Sequence, residues 1–223
     1  MYNKLIDQTA AEYFNRGSQK QDLQDFSGAI ADYSKAIAIN PMLAEAYNNR
    51  GLVKKDILDY QGALSDFTKA IELDPSFTEA YYNRGIVKGF CHDYKGAISD
   101  FTTATSINPS HGASYNNLGV IKGKLQDYAG SVADLTRAIE LNPKDVEAHY
   151  NRGISNCFID EYKDAITDFT STIRLNPKYA PAYFNRGVVK LMIEQNDSAL
   201  LDLYKAKYHG DTEAEAVMKK YCH

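Results

Sequence analysis

The residues best suited to chemistry in this chain are asparagines that recur at one fixed interval. One asparagine stands at each 34-residue step: Asn15, Asn49, Asn83, Asn117, Asn151 and Asn185. A carboxamide carries both a donor and an acceptor, so it can pair with the N–H and C=O of a peptide backbone without reading side chains. The alternative is that these asparagines hydrogen-bond to a neighbouring helix and only set how the elements stack.

Charged residues recur at the same interval. Arginine follows the asparagine at Arg16, Arg50, Arg84, Arg152 and Arg186, with Leu118 the exception. An aspartate comes 16 residues after each of these positions: Asp32, Asp66, Asp100, Asp134, Asp168 and Asp202. We predict that Arg84 meets Asp100, because an arginine in a core position needs a partner. The alternative is a set of solvated surface charges worth ~0–1 kcal/mol each.

The chain carries no constellation that supports catalysis. It has no glycine-rich phosphate loop after a strand, no G-x-S-x-G, no H-E-x-x-H and no Cys-x-x-Cys. The histidines occupy unrelated places in the repeating pattern: His92, His111, His149, His209 and His223. We therefore predict that the protein is not an enzyme and that it binds neither a cofactor nor a metal.

Composition limits the class of partner. The chain has 223 residues and a net charge of −4, so neither nucleic acid nor an anionic membrane is an evident partner. No apolar run approaches the ~18 residues of a membrane span, and the N-terminus has no long apolar core of a signal peptide. Cys91, Cys157 and Cys222 lie far apart, which favours a reducing compartment. These features predict a cytoplasmic protein, although a signal peptide removed earlier would leave no trace.

The 34-residue period organises almost the whole chain. Asn-Pro or Asp-Pro closes a unit at Pro41, Pro75, Pro109, Pro143 and Pro177. Such self-similarity indicates a repeat architecture. We predict a lead-in at 1–9, six units at 10–43, 44–77, 78–111, 112–145, 146–179 and 180–213, and the remainder of a C-terminal capping helix at 214–223. Thr9 and Glu12 form a capping-box pattern just before the first helix, and Tyr2, Leu5 and Ile6 either extend that helix backward or pack on its end.

The third unit carries a recognisable pattern. Tyr81, Gly85, Ala97, Phe101 and Pro109 stand at the marked positions of the tetratricopeptide repeat (TPR) pattern W-x2-L-G-x2-Y, A-x3-F and P. The chain therefore resembles a TPR protein with six tandem repeats of an Asn-Arg-Gly type. The resemblance implies an all-α fold, a right-handed α-α superhelix (TPR solenoid) of six helix-turn-helix repeats plus a C-terminal capping helix. Gly85 and Ala97 should let the two helices of the unit approach closely, because neither side chain takes up room.

The resemblance also implies a concave face lined by the first helix of each unit. A ladder of asparagines there is similar to the one in the TPR region of O-GlcNAc transferase. Beside the asparagines, the resemblance assigns these residues to peptide binding: Tyr82, Ile86, Phe90, Tyr150, Phe158 and Phe184. Gly89 and Gly123 would leave space for a ligand to come close. The alternative is that some of the apolar residues, Phe90 and Phe158 above all, pack between adjacent first helices.

These observations predict a protein–protein interaction adaptor or scaffold that holds a peptide segment of another protein. A homo-oligomeric self-assembly element and an accessory subunit of an enzyme complex are the alternatives. The TPR branch that clamps two carboxylates needs lysine and arginine where this chain has Glu45, Glu79 and Asn83. We therefore do not expect an acidic C-terminal tail as the main ligand.

Overall fold

The computed structural model describes residues 2–221, with side chains from residue 8 onward. Thirteen α-helices and no strand form within this range, which confirms the predicted all-α class. None of the described helices is long and apolar enough to cross a membrane. Cys222 and His223, which entered the predictions, lie outside the described residues. The contacts divide the chain into an N-terminal body that ends at Pro109 and a C-terminal body that begins at Ser110.

Each repeat contributes two consecutive helices, and we call the first helix A and the second helix B. The N-terminal body contains α1 (Tyr2–Asp22), α2 (Phe26–Ile39), α3 (Ala44–Asp56), α4 (Tyr60–Leu73), α5 (Thr78–Phe90) and α6 (Tyr94–Ile107). The C-terminal body contains α7 (Gly112–Lys124), α8 (Tyr128–Leu141), α9 (Val146–Phe158), α10 (Tyr162–Leu175), α11 (Ala180–Met192), α12 (Asn196–Tyr208) and α13 (Ala214–Tyr221). Helix A packs on helix B of its own repeat, and within each body helix B packs on the next helix A.

The two ends of the array are built differently. Helix α1 begins at Tyr2, so of the two alternatives for the residues before Thr9 the structure shows the backward extension of the first helix. Residues 3–9 contain no glycine or proline that would stop the helix, so it continues through the predicted lead-in. At the other end, the Asp211 side chain accepts from the backbone N–H of Ala214 at 2.9 Å and caps α13. Ala214 is fully buried against the last repeat.

The glycine of each Asn-x-Gly makes room for a core side chain of helix B. A Cβ added to Gly85 would lie 2.8 Å from the ring of Phe101, and one added to Gly153 would lie 2.8 Å from Phe169. Both distances are shorter than any ordinary carbon–carbon contact. The prediction that glycine permits a close helix approach is confirmed, but the residue that needs the space is the aromatic ring rather than Ala97.

A second glycine, at the start of helix B, accompanies the helix cap. In the first four repeats the capping aspartate accepts a hydrogen bond from the glycine N–H three residues later, at 3.0 Å. A Cβ at that glycine would lie within 2.1 to 2.2 Å of the capping carboxylate. In the fifth repeat Glu161 stands at the cap and makes no such bond, and Asp164 replaces the glycine. The cap and the glycine are therefore lost together.

The predicted arginine–aspartate pairs are confirmed. Arg84 donates from Nε to Asp100 Oδ2 at 2.9 Å and from Nη2 to Oδ1 at 2.7 Å. The same two-point contact occurs in the first, second, fifth and sixth repeats. Asp100 is only 3% exposed, so the surface-charge alternative is wrong for it. In the fourth repeat, where leucine replaces arginine, Lys122 Nζ lies 2.6 Å from Asp134.

These buried carboxylates make acid destabilisation a prediction. Hydrogen bonding from Arg16 holds the pKa of Asp32 well below its usual range, although burial opposes it. For Asp202, burial raises the pKa, but hydrogen bonds from Arg186 and Lys190 outweigh it and the net pKa is lowered. A carboxyl with a lowered folded pKa stabilises the protein above its unfolded pKa of ~3.9, and that contribution is lost as the pH falls further.

We expect the melting temperature to fall steeply below about pH 4. Melting followed by circular dichroism between pH 7 and pH 2 would measure this. The double variant Asp32→Asn, Asp202→Asn should start from a lower melting temperature and lose less of it on acidification. An equal loss in wild type and variant would contradict the assignment to these two carboxyls.

Candidate peptide-binding surface

The A helices carry the asparagines, and Asn83 and Asn185 each hydrogen-bond to a neighbouring A helix. Asn83 Nδ2 donates to Asn48 Oδ1 at 3.0 Å, which joins α5 to α3. Asn185 Nδ2 donates to the Tyr150 hydroxyl at 2.9 Å, which joins α11 to α9. Burial raises the pKa of Tyr150, while the bond from Asn185 works in the opposite direction. At these two places the asparagine stacks one repeat on the next, as the structural alternative stated.

The other four asparagines have different surroundings. Asn49 accepts from Asn48 Nδ2 at 3.1 Å, and Asn117 Nδ2 donates to the Ala113 carbonyl of its own helix at 3.0 Å. Asn15 is exposed. Asn151 is half-buried, and its side chain makes no hydrogen bond within residues 2–221. One sequence position therefore has several local roles.

Asn151 differs from Asn83 because the expected bond to the preceding helix is missing. Asn116 stands in α7 where Asn48 stands in α3, yet the buried Oδ1 atom of Asn116 has no hydrogen-bond partner. A buried acceptor without a partner costs about 1–3 kcal/mol. The fourth and fifth repeats thus keep one unused acceptor and one unused carboxamide on neighbouring A helices.

Four of the predicted apolar residues are half-buried. Tyr82 tilts against Phe101 with ring centroids 5.8 Å apart, and Tyr150 tilts against Phe169 at 5.9 Å. Ile86 is also half-buried. Phe184 packs against the buried cluster of the last repeat. Each of these residues gives only part of its surface to solvent, so each serves the core as well as the A-helix surface.

Phe90 and Phe158 are placed differently. Their side chains are 58% and 61% exposed, so the alternative that they pack between A helices is wrong. Phe90 stacks on Tyr60 with ring centroids 5.9 Å apart. Phe158 stacks on Tyr128 at 4.4 Å with the planes 5° apart. In both cases the ring covers the start of the preceding helix B and leaves its other face open.

A cavity of 290 Å³ opens beside Phe158 in the C-terminal body. Its lining includes Gly119, Val120, Gly123, Tyr128, Asn151 and Ile154. Two further lining residues, Ser131 and Ser155, share a buried hydrogen bond of 2.8 Å. A Cβ on Gly123 would lie 3.4 Å from Ser131 Oγ, so this position admits one methyl group. We call this place the Phe158 cavity.

Sequence reasoning found part of the Phe158 cavity. It predicted Asn151, Phe158 and the space left by Gly123, which all line the cavity. It missed Tyr128 and the serine pair, because these residues approach from helix B or interrupt the repeat pattern. The available signals were Ser131, which stands where the third repeat has Ala97, and Ser155, which stands where the third repeat has Val87.

The described residues offer no metal centre. No group of three or more His, Cys, Asp or Glu side chains is arranged to hold a metal between residues 2 and 221. Cys91 is exposed and Cys157 is half-buried, and both thiols are free. Burial raises the pKa of Cys157 to about 11, which keeps that thiol protonated at neutral pH.

Family models match more than half of the chain. A model described as TPR repeat matches residues 17–56 and 122–156. Two models described as tetratricopeptide repeat match residues 44–77 and 78–111. No curated protein matches the sequence.

Solved structures resemble the chain along most of its length. YrrB, described as a TPR protein with an unusual peptide-binding site, is 30% identical; the match covers 84% of this chain and 97% of YrrB with a TM-score of 0.76. The pilF protein of Pseudomonas aeruginosa is 17% identical over 96% of this chain and 99% of its own, with a TM-score of 0.82. MamA is 23% identical over 78% and 94%, with a TM-score of 0.69. The last two support the fold alone.

Proposed function

Because the chain belongs to the tetratricopeptide repeat family, we propose that its C-terminal body binds an extended peptide segment of a partner protein. The fold is that of a protein-interaction scaffold, whose stacked helix pairs present long binding surfaces. The proposal concerns where the peptide lies and which residues hold it. We assign the site to the A-helix surface of the fourth and fifth repeats, around Asn151 and the Phe158 cavity.

The observation that carries the proposal is the unused carboxamide of Asn151 at the edge of an apolar cavity. The amides of Asn83 and Asn185 already hydrogen-bond to neighbouring helices, whereas Asn151 keeps both a donor and an acceptor for a peptide backbone. The 290 Å³ cavity is close to the lower limit of ligand pockets, about 300 Å³, and suits one apolar side chain. The exposed Phe158 ring adds a flat apolar surface beside it.

YrrB supports a peptide as the ligand, because that TPR protein has a peptide-binding site and shares 30% of its residues with this chain. Backbone pairing through a carboxamide gives affinity, and a side-chain pocket gives preference for particular residues. We therefore expect bound peptides to share one apolar residue and to vary at most other positions.

Selection of peptides from a displayed random library, followed by titration of a selected peptide, tests the proposal. Asn151→Ala is expected to weaken binding about tenfold, the effect of losing backbone pairing worth about 1.4 kcal/mol. Gly123→Ala should weaken binding as well, because its methyl group enters the cavity. The same substitution should stabilise α7 by up to about 1 kcal/mol, because alanine is the better helix former.

Asn83→Ala is the matched control, since the Asn83 amide already donates a hydrogen bond to Asn48. It should lower stability and leave peptide affinity unchanged. Unchanged affinity in both Asn151→Ala and Gly123→Ala would refute this site. Sedimentation of the unliganded chain with and without Phe158→Glu examines the self-assembly alternative, which predicts a dimer that the substitution dissociates.

A further inference from the structure

Each helix-B aspartate except one receives a lysine in addition to its other partners. The lysine lies at one repeat position on helix A: Lys20, Lys54, Lys88, Lys122 and Lys190. Its Nζ atom lies 2.7 or 2.8 Å from the aspartate in the first, second, third and sixth repeats, and 2.6 Å in the fourth. A primary ammonium group is therefore the regular partner of this carboxylate throughout the array.

The fifth repeat lacks this ammonium group. Asn156 replaces the lysine, and its Nδ2 atom donates to Asp168 Oδ2 at 3.1 Å. His149 replaces the tyrosine of the other repeats and is 7% exposed. Its Nδ1 atom lies 3.5 Å from Asp168 Oδ1 and has no hydrogen-bond partner. Asp168, itself 2% exposed, keeps Arg152 as its only permanently charged partner.

A further exchange makes the same place more acidic. Where the first four repeats have glycine, the fifth has Asp164. A Cβ on the first of those glycines, Gly28, would lie 2.9 Å from Cδ of Lys20, so the lysine stem runs close to it. In all four of those repeats the capping carboxylate lies closer still, within 2.1 to 2.2 Å, and Glu161 at the cap of the fifth repeat makes no such bond, so the Asp164 side chain has room there. Relative to the third repeat, the fifth loses one positive charge and gains one negative charge.

The missing lysine leaves a cavity of 230 Å³. Its lining consists of Val132, Thr136, Arg152, Asn156, Asp164, Thr167 and Asp168. These residues belong to α8, α9 and α10; the cavity shares α8 and α9 with the Phe158 cavity, but no lining residue is common to both. Its volume is below the ~300–1,000 Å³ of pockets for drug-sized ligands and suits one long side chain.

We propose that this cavity binds the side chain of a lysine from a partner protein. The incoming ammonium group displaces the neutral Asn156 amide from Asp168 Oδ2, the oxygen that the repeat's own lysine contacts elsewhere, and lies between the carboxylates of Asp164 and Asp168. The Thr167 hydroxyl oxygen supplies a further acceptor, since Thr136 Oγ1 already accepts from Arg152 Nη1 at 3.0 Å, and Val132 packs on the aliphatic stem. An ammonium group with three donors fits this set better than a bare metal ion, because a lysine already serves the equivalent carboxylate in the other repeats.

Titration of the full chain with Nα-acetyl-lysine methylamide, followed by nuclear magnetic resonance, tests the proposal. We expect saturable shifts of the Thr136 and Thr167 amides with a dissociation constant in the ~1–10 mM range. The Nε-acetylated form of the same compound has the same stem without the charge and should cause no saturable shift. Equal responses to the two compounds would overturn the proposal, as would the absence of saturable shifts at these threonines.

Two variants locate the binding. Asn156→Lys restores the lysine of the other repeats, so it should fold, fill the cavity and abolish the shifts. Ser99→Lys adds the same charge at an exposed position of the N-terminal body and should leave them unchanged. Asp164→Gly restores the glycine of the first four repeats and should weaken binding about fivefold, the effect of one exposed charge pair. Binding that persists in Asn156→Lys would show that the compound lies elsewhere.

Discussion

Replacing Asp100 with alanine is expected to destabilise the third repeat by about 3–5 kcal/mol. The carboxylate is the shared partner of Arg84 and Lys88, which lie 2.7 and 2.8 Å away. The side chains of these two cations are only 17% and 22% exposed. Removal of the carboxylate would leave both cations partly desolvated and without the negative charge that compensates them. The cost therefore comes more from the two uncompensated, partly desolvated cations than from the lost contact itself.

The fourth repeat provides the matched control for this substitution. Asp134→Ala removes the equivalent carboxylate where Leu118 replaces the arginine and Lys122 is the only cation in contact. The Asp134 side chain is 16% exposed, whereas the Asp100 side chain is 4% exposed, so we expect a cost of about 1 kcal/mol. Urea unfolding followed by far-ultraviolet circular dichroism would measure both costs, with hydrogen exchange of the α5 and α6 amides for Asp100→Ala and of the α7 and α8 amides for Asp134→Ala. Equal costs for the two variants would contradict the role assigned to the arginine.

Replacing Phe101 with alanine is expected to cost about 3–5 kcal/mol as well. The ring is 1% exposed and lies against the backbone of helix A at Gly85. The substitution leaves a cavity that the rigid helix pair cannot close. Loss of protection of the α5 and α6 amides at lower denaturant concentration would report this cost.

The pair of Gly85 and Phe101 should not behave additively. Gly85→Ala alone places a methyl group 2.8 Å from the ring and forces a shift that outweighs the better helix propensity of alanine. In the double variant with Phe101→Ala, the same methyl group enters empty space and should recover about 1–2 kcal/mol relative to the sum of the single variants. If the costs of the two single variants simply added up in the double variant, the glycine would be present for a reason other than the ring.

The sequence alone determined the fold class and the repeat. A 34-residue period with glycine, alanine, aromatic and proline at set places allows only stacked helix pairs to bury their apolar faces. It also determined the arginine–aspartate pairs, because a charge at a core position requires a partner at a matching interval. The sequence left open whether the residues before Thr9 extend the first helix, because a local capping pattern does not stop a helix that has nothing to break it upstream.

Only the tertiary structure decided what each repeated residue does. Six asparagines share one position, yet Asn83 bonds to α3, Asn117 bonds to its own helix, and Asn151 keeps its amide unused. The difference depends on which side chain the neighbouring helix presents. Sequence spacing does not reveal the distance between that side chain and the asparagine. The cavities beside Phe158 and Asp168 arise for the same reason. A short side chain becomes an open space only when the surrounding helices are held apart by their other contacts.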